Sequence, residues 1–361
     1  MQQNELLIYG ANGYSGTLIA RYATIYNLQP ILAGRREEAV KPLALKLNLP
    51  YRIFDLTDRH QAEDALKDIK VVIHAAGPYD FTAKQMLEVC LTTGTHYLDL
   101  NGDLDVFEML KTYDIKAKQS GIMLLPGAGF DVVPTDCLAL YLKKLLPDAT
   151  ELQLAFAIIN SGLSRGTAIT TINKLGELGA SRKDGKIIAE PVGCRSMWVN
   201  FFAGKSKGER KIFVMSLPWG DVSTAYFTTG IPSIRSYTSM PPGSKWLLKF
   251  QGLFNWILRK EAVRNFIKKQ LDKRPAGPDD NMRSNAQSVV WGRVTNTAGK
   301  SVTARLVCPE AYDVTAHSTL LIAQKILAGN FKTGYQTPAS AYGENLVLEM
   351  DGVERDGEYI N

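Results

Sequence analysis

The feature that most constrains this chain is a glycine-spaced turn after its first apolar run. Residues 6–9 are apolar, glycines stand at positions 10, 13 and 16, and a helical pattern covers residues 17–26. A strand, such a turn and a helix form the first unit of a dinucleotide-binding domain, because the turn can approach a pyrophosphate and the helix N-terminus stabilises its charge. The alternative is a turn without a ligand. We predict dinucleotide contacts from Gly10, Asn12, Gly13, Tyr14, Ser15 and Gly16.

Strand-like runs recur along the first third of the chain and alternate with helical patterns. After the first run they cover residues 31–33, 51–54, 71–76, 97–100 and 122–125. This alternation predicts a doubly wound parallel sheet, in which ligands lie beyond the carboxyl ends of the strands. We therefore expect the residues that follow these runs to adjoin the same crevice, among them Asp55, Ala76, Gly77 and Pro78.

The residues after the second run indicate which dinucleotide binds. A site for NAD usually has Asp or Glu here to accept from the ribose 2′-hydroxyl, whereas this chain has Arg35 and Arg36. Two guanidinium groups suit a 2′-phosphate, so the sequence favours NADP, with NADPH preferred over NADH. The alternative is that both arginines are solvated at a helix start beside Glu37 and Glu38.

The pattern changes after about residue 130 and predicts a second domain. Strand-like alternation covers residues 152–159, 212–217, 224–229, 289–294 and 302–307, and helical patterns cover residues 168–178, 245–271 and 316–327. A chain of 361 residues is also long for a single core. We predict an α/β protein in which residues 1–130 form a Rossmann-type doubly wound parallel sheet. Residues 131–310 then form an α+β domain on a mixed, largely antiparallel sheet.

Cysteine, histidine and hydropathy patterns indicate the compartment. The four cysteines have no C-x-x-C spacing, and the four histidines have no metal-ligand spacing. We therefore expect a reducing compartment and no metal site. A secretory signal pattern and an apolar run of about eighteen residues are both absent from the sequence. These features predict a cytoplasmic protein.

One segment carries the basic excess of the chain. The net charge is +6, and residues 245–274 hold nine basic and two acidic residues, so this segment nets +7 and the remainder −1. Trp246, Phe250, Leu253, Phe254 and Ile257 stand at helical spacing within it. Three interpretations stay open: a core helix with a solvated basic face, a helix on an anionic membrane, or a docking site for an acidic partner such as an acyl carrier protein. We expect no nucleic-acid partner.

Two enzyme classes can be tested directly on the sequence. Short-chain dehydrogenases need Tyr-x-x-x-Lys, and every tyrosine here lacks a lysine four residues later. Residues 162–166 match G-x-S-x-G, which would make Ser164 a hydrolase nucleophile with His317 as its downstream histidine. The alternative is a helix start in which Ser164 is the N-cap.

The chain resembles the saccharopine dehydrogenase-like oxidoreductases. The resemblance rests on residues 9–16, 33–36, 75–79, 96–103 and 129–136. The trans-acting enoyl reductase branch is similar in addition at residues 164–167, 218–225 and 337–339.

This resemblance implies an NADP-binding Rossmann domain, then a mixed α/β domain, with residues 311–361 packing back on the first. Enoyl reductases of this branch act on double bonds of long acyl chains that a separate synthase carries. The implied activity is NADPH-dependent reduction of a C=C, C=N or C=O bond in a lipid-type acyl or other small-molecule substrate. The alternative is a non-catalytic NADP-binding sensor or scaffold.

Site roles follow from this implied activity. The nicotinamide is expected near Gly77, Pro78, Tyr79 and the loop of Phe130 and Asp131. We assign catalytic roles to Tyr79, Asp221 and Thr224, and substrate contacts to Phe130, Asp131, Thr167 and Ser223. The structural alternative is that the Asp, Ser and Thr side chains satisfy nearby backbone groups.

Overall fold

The computed structural model describes residues 5–271 and 275–360. Within those ranges the strands are β1 (Leu6–Tyr9), β2 (Ile31–Gly34), β3 (Tyr51–Ile53), β4 (Val71–His74), β5 (His96–Asp99), β6 (Met123–Leu125), β7 (Glu151–Ile159), β8 (Gly179–Lys183), β9 (Lys186–Glu190), β10 (Ser196–Phe202), β11 (Glu209–Ser216), β12 (Ser233–Ser239), β13 (Gln287–Thr295), β14 (Ser301–Cys308), β15 (Gly334–Tyr335) and β16 (Glu354–Ile360).

Helices alternate with the first six strands and are sparser afterwards. They are α1 (Tyr14–Tyr22), α2 (Glu37–Leu47), α3 (Arg59–Leu66), α4 (Tyr79–Thr93), α5 (Leu104–Lys111), α6 (Asp114–Gln119), α7 (Val133–Leu145), α8 (Arg165–Asn173), α9 (Asp221–Thr229), α10 (Ser244–Lys249), α11 (Gln251–Leu258), α12 (Glu261–Leu271), α13 (Asp280–Ser284), α14 (Ala311–Leu327) and α15 (Pro338–Tyr342).

The chain divides into two compact units. The first comprises Met1–Val133 and Tyr312–Gly343, and the second comprises Pro134–Ala311 and Glu344–Asn361. The expected return of residues 311–361 to the first domain therefore stops at Gly343. The last strand belongs instead to the second unit, because β16 pairs antiparallel with β14, and Asp356 accepts from the buried Arg305 across that pair.

The first unit is built on a parallel sheet with the strand order β15-β6-β5-β4-β1-β2-β3. Its central strands β1, β2 and β4 are buried along their whole length, as expected for a parallel sheet covered by helices on both faces. The six strands predicted from the sequence are confirmed. They place the carboxyl ends of β1, β2, β4 and β5 at one edge of the sheet.

The second unit is built on a mixed sheet. Its main order is β10-β11-β12-β7-β13-β14-β16, and β8 and β9 extend it from β12. Among the pairs of described strands in this second sheet, only β12 and β7 run parallel. Side chains from facing strands fill its core, including the fully buried Phe201 and Val214. The predicted fold class, a Rossmann sheet with a largely antiparallel second domain, is confirmed.

One sequence-based element prediction was wrong, and another range is helical but divided. The strand-like alternation of residues 224–229 predicts a strand, but these residues lie in α9. In that helix the hydroxyls of Thr224 and Thr229 donate to the carbonyls of Gly220 and Ala225, four residues earlier, which removes the conflict with helical geometry. The helix expected over residues 245–271 is divided into α10, α11 and α12, and residues 272–274 of the basic segment lie outside the described residues.

Candidate functional site

The glycine turn joins the end of β1 to the start of α1 under tight steric constraint. The N–H groups of Gly10 and Ala11 both donate to the carbonyl of Ala33 at the end of β2, at 2.8 and 3.1 Å. Gly10 has a φ of +85°, and a Cβ there would lie 2.8 Å from the backbone of Ala75. A Cβ on Gly16 would collide with the Gly10 carbonyl. The turn therefore needs glycine at both positions to bring α1 against β1.

The first turn of α1 is arranged to receive an anion. Gly13 is its N-cap and provides no side-chain acceptor for the first N–H groups. Tyr14 packs edge-on against the ring of Tyr312, with ring centroids 4.9 Å apart, whereas Asn12 is exposed and Ser15 half-buried. A helix start with this geometry stabilises a pyrophosphate through its N–H groups and its dipole.

The two arginines after β2 are exposed. Arg36 lies 4.0 Å from Glu38, in a pair whose side chains are 70% and 74% exposed. Asp55, beyond β3, accepts from the N–H and the hydroxyl of Thr57, both at 2.9 Å. Those hydrogen bonds lower the pKa of Asp55, and the charge of Arg35 lowers it slightly further. The carboxylate of Asp55 is thus engaged within its own turn, and the side chains of Arg35 and Arg36 are exposed to solvent.

At the end of β4 the side chains face the core. His74 is fully buried, and its Nε2 lies 2.9 Å from Thr82 Oγ1. Thr82 in turn donates to the carbonyl of Ala76 at 2.8 Å. The hydroxyl of Tyr79 donates to the carbonyl of His74 at 3.2 Å, and burial raises the pKa of Tyr79 well above its usual value. The hydroxyl of Tyr79, for which a catalytic role is predicted, therefore already donates its proton to a backbone carbonyl in a hydrogen bond.

Asp99 organises the loops after β5 and β6. This fully buried carboxylate accepts from Tyr97 OH at 2.7 Å, from the Asn101 backbone and side chain at 3.0 and 2.8 Å, and from Gly127 N–H at 2.8 Å. Burial raises the pKa of Asp99, and these donors oppose the shift. The reasoning from sequence missed this organising role, although Asp99 lies inside a motif that carries the family resemblance.

Phe130 and Asp131 lie on the loop that Asp99 fixes. Phe130 is buried, and its N–H donates to Thr315 Oγ1 at 3.0 Å. A side chain on Gly102 would begin 2.9 Å from Asp131 Oδ2, so the absence of a side chain at Gly102 makes room for this carboxyl group. Burial raises the pKa of Asp131 to about 6. Gly102 after β5 and Asp131 after β6 therefore lie together, and the charge of Asp131 also raises the pKa of Tyr79, which follows β4.

The candidate residues of α9 are buried inside the second unit. Asp221 is fully buried and accepts from Thr135 Oγ1 at 2.5 Å and from Ser236 Oγ at 3.1 Å. Ser223 and Thr224 are also fully buried, and the Thr224 hydroxyl donates to a carbonyl of the same helix. The structure brings these three residues together on the first turn of α9. The hydrogen bonds of Asp221 and Thr224 stabilise the fold of that unit.

Ser164 and Thr167 form the start of α8. Ser164 is the N-cap, and its Oγ accepts from Thr167 N–H at 3.2 Å and lies 3.1 Å from Thr167 Oγ1. In the first unit, His317 stacks on Tyr22 and hydrogen bonds with Tyr26 OH at 3.1 Å. These contacts match the capping interpretation of the G-x-S-x-G segment. Among the described residues, no cluster of His, Cys, Asp or Glu is arranged to hold a metal ion.

Comparison with known proteins finds one matching family and several similar sequences. The family described as the saccharopine dehydrogenase NADP binding domain matches residues 6–125. A saccharopine dehydrogenase-like oxidoreductase of Bos taurus is 26% identical over 178 residues, which is 44% of this chain and 42% of that protein. A trans-acting enoyl reductase of Mycobacterium ulcerans is 27% identical over 140 residues, 37% of this chain and 34% of that protein.

A protein of Caenorhabditis elegans named lipid droplet localized protein is 24% identical over 158 residues, covering 40% of this chain and 37% of that protein. The aligned regions thus span less than half the length of these relatives. Among solved structures, the apo form of saccharopine dehydrogenase (L-Glu forming) from Saccharomyces cerevisiae matches with a TM-score of 0.67 at 13% identity. That match covers 97% of this chain and 99% of the yeast chain, and it shows a shared fold.

Proposed function

We propose that the protein is an NADPH-dependent reductase, and the premise is that residues 6–125 match the family described as the saccharopine dehydrogenase NADP binding domain. The observation that carries the proposal is the glycine turn between β1 and α1, with Arg35 and Arg36 exposed beside it. Bound NADPH would supply a hydride, and the fold supplies the binding and positioning that hydride transfer requires.

Different residues of the first unit would bind different parts of the cofactor. The backbone of Gly10–Gly16 and the start of α1 receive the pyrophosphate, because glycine permits close approach and the helix start is positive. Arg35 and Arg36 receive the 2′-phosphate through charge-assisted hydrogen bonds. Ala76, Gly77 and Pro78, which follow β4, lie on the nicotinamide side of this edge.

We propose that the carboxyl group of Asp131 donates the proton that the substrate takes up when it is reduced. A pKa of about 6 leaves part of its population protonated near neutral pH. Its carboxyl group forms no hydrogen bond within the described part of the chain. Tyr79 is less suitable, because its hydroxyl donates to the carbonyl of His74 and its pKa is raised further.

The proposed substrate is a lipid-type acyl compound with a reducible C=C bond, or a related C=N or C=O compound. The similarity to trans-acting enoyl reductases supports the first of these. We further propose a cytoplasmic protein with peripheral membrane contact, which the name of the worm relative supports. No helix among the described residues is both long and apolar enough to cross a bilayer.

The cofactor preference tests this proposal. In the double variant Arg35→Gln/Arg36→Gln, we expect NADPH affinity to fall about 5- to 30-fold, because one or two exposed charge-assisted contacts are lost at roughly 1 kcal/mol each. NADH affinity should change little. The control is Arg59→Gln, which removes an exposed guanidinium that pairs with Glu63 elsewhere in the same unit. Titrations with both cofactors measure the ratio, and an unchanged ratio in the double variant would contradict the assignment.

Turnover separates a reductase from the alternative, a non-catalytic NADP-binding sensor. NADPH consumption is measured by its absorbance in the presence of enoyl, imine and carbonyl compounds. The reductase proposal predicts that at least one of these classes of compound is reduced. It also predicts that Arg35→Gln/Arg36→Gln raises the NADPH concentration needed for the half-maximal rate. Tight binding of NADPH without consumption by any class favours the sensor.

A further inference from the structure

Helices α10, α11 and α12 present large apolar side chains to solvent. The exposed residues on this surface, which we call the aromatic face, are Trp246 (67% exposed), Phe250 (51%), Leu253 (66%), Phe254 (47%), Trp256 (59%), Ile257 (38%) and Phe266 (65%). Single exposed apolar residues are common on proteins, but a contiguous set on successive helices usually marks an interaction surface.

The orientation of α11 is the reverse of that of an ordinary amphipathic helix. Phe250, Leu253, Phe254 and Ile257 follow the spacing i, i+3, i+4, i+7, so they share one face, and that face is exposed. The polar side faces the protein instead. Gln251 Nε2 donates to the carbonyl of Val192 at 2.8 Å.

Hydrogen bonds to a neighbouring turn hold these helices in that orientation. Arg259 Nε donates to the carbonyl of Gly176 at 2.8 Å, and Arg264 donates to the carbonyl of Leu175 at 2.6 Å. Arg264 also lies 3.2 Å from a carboxylate oxygen of Glu177. Because polar anchors hold the inner side, the outward orientation of the aromatic face is a feature of the folded unit.

The charges around the aromatic face indicate which kind of partner it binds. Lys249 lies over the ring of Trp246 at 5.5 Å, and Lys260 lies over the ring of Trp256 at 4.8 Å. Within the described residues these lysines, together with Lys245, Lys268 and Lys269, form no ion pair. Tryptophan beside lysine is the arrangement found at the headgroup level of membranes, where the ring lies in the interface and the ammonium meets phosphate.

We propose that the aromatic face binds the surface of an anionic phospholipid membrane. The apolar stripe of α11 enters the boundary between headgroups and acyl chains, and the lysines contact the phosphates. The second unit then lies on the membrane without spanning it. This proposal is independent of the reductase activity, because all of its residues lie outside the cofactor site.

Flotation of the full chain with vesicles tests the proposal. Vesicles of phosphatidylcholine alone are compared with vesicles that also contain phosphatidylserine, at low and high salt. We expect the wild type to bind the anionic vesicles and to be released by salt. The variant Phe250→Ser/Leu253→Ser should bind at least about 10-fold more weakly, because two side chains lose their apolar burial. The charge reversal Lys268→Glu/Lys269→Glu should lose the preference for anionic vesicles.

A matched control comes from the same unit. Leu163 and Leu178 are 57% and 56% exposed and lie outside the aromatic face, so Leu163→Ser/Leu178→Ser should bind vesicles as the wild type does. NADPH titration and circular dichroism verify that every variant is folded. Equal vesicle binding by the wild type and by Phe250→Ser/Leu253→Ser would overturn the proposal. A wild type that ignores vesicles but self-associates through this face would overturn it as well, in favour of a second copy as the occupant.

Discussion

Protonation of His74 should destabilise the first unit in mild acid. This imidazole is fully buried, and burial lowers its pKa from 6.5 to about 3. Because Thr82 Oγ1 donates to Ala76 O, it accepts from His74 Nε2, which places the single ring proton there. The other nitrogen, Nδ1, is buried without a hydrogen-bond partner among the described residues. A second proton would therefore place a charge in an apolar environment with no acceptor.

The size of the effect follows from the two pKa values. Between pH values of about 3 and 6.5 the unfolded chain binds a proton at His74 that the folded chain does not bind. Stability is therefore lost as the pH falls through that window. When the pH falls from about 7.5 to about 5, His74 lowers the free energy of unfolding by about 2 kcal/mol. This corresponds to about a 30-fold increase in the equilibrium constant for opening of the structure around β4.

Hydrogen exchange in peptides that contain β4 measures this opening without assuming that both units unfold together. The change is His74→Phe, which keeps a ring of similar size among Tyr9, Tyr79 and Tyr97 but cannot be protonated. We correct the exchange rates for the intrinsic pH dependence of amide exchange. When the pH falls from about 7.5 to about 5, the increase in the corrected rate should be about 30-fold smaller in His74→Phe than in the wild type. The contribution of other titrating groups cancels in this difference.

The control is His60→Gln. The His60 side chain is 91% exposed, so its loss should leave the pH dependence of the wild type intact. The same acceleration in His74→Phe as in the wild type would refute the argument, because the acid sensitivity would then originate elsewhere.

Two further predictions concern the cofactor edge. Gly16→Ala should weaken NADPH binding at least about 10-fold, because its Cβ would collide with the Gly10 carbonyl, whereas Gly94→Ala, with open space around its Cβ, should lower stability by about 1 kcal/mol and leave binding unchanged. Cofactor titrations and chemical denaturation compare the two, and equal affinity in the two variants would contradict the steric argument. Asp131→Asn should remove the step near pH 6 from the reductase pH profile, because burial raises the pKa of Asp131 to about 6. A profile that keeps this step after the substitution would exclude Asp131 as its source.

The Rossmann unit could be predicted from the sequence because its strands are apolar along their whole length. Leu6–Tyr9 and Val71–His74 are buried at every position, so burial is visible in the residue types themselves. The strand β15 was missed because it has only two residues, Gly334 and Tyr335, too few for any periodicity. The strand predicted over residues 224–229 was wrong because a short strand-like pattern does not distinguish a strand from a buried helix, and these residues form a buried helix.

Features of the candidate site could be predicted from the sequence where the backbone geometry admits only one residue type. They could not be predicted where the hydrogen-bond partners of a side chain are distant in the sequence. Only glycine fits the Gly10 turn, so the turn can be found from its glycine spacing together with the strand before it and the helix after it. Asp131 and Asp221 both follow glycine-containing loops and look alike in the sequence. The partners of Asp221 are Thr135 and Ser236, 86 and 15 residues away, and they give its carboxylate a structural role. Asp131 has no such donors among the described residues and has a pKa raised to about 6. The different hydrogen bonding of these two carboxylates therefore depends on long-range packing that residue spacing does not encode.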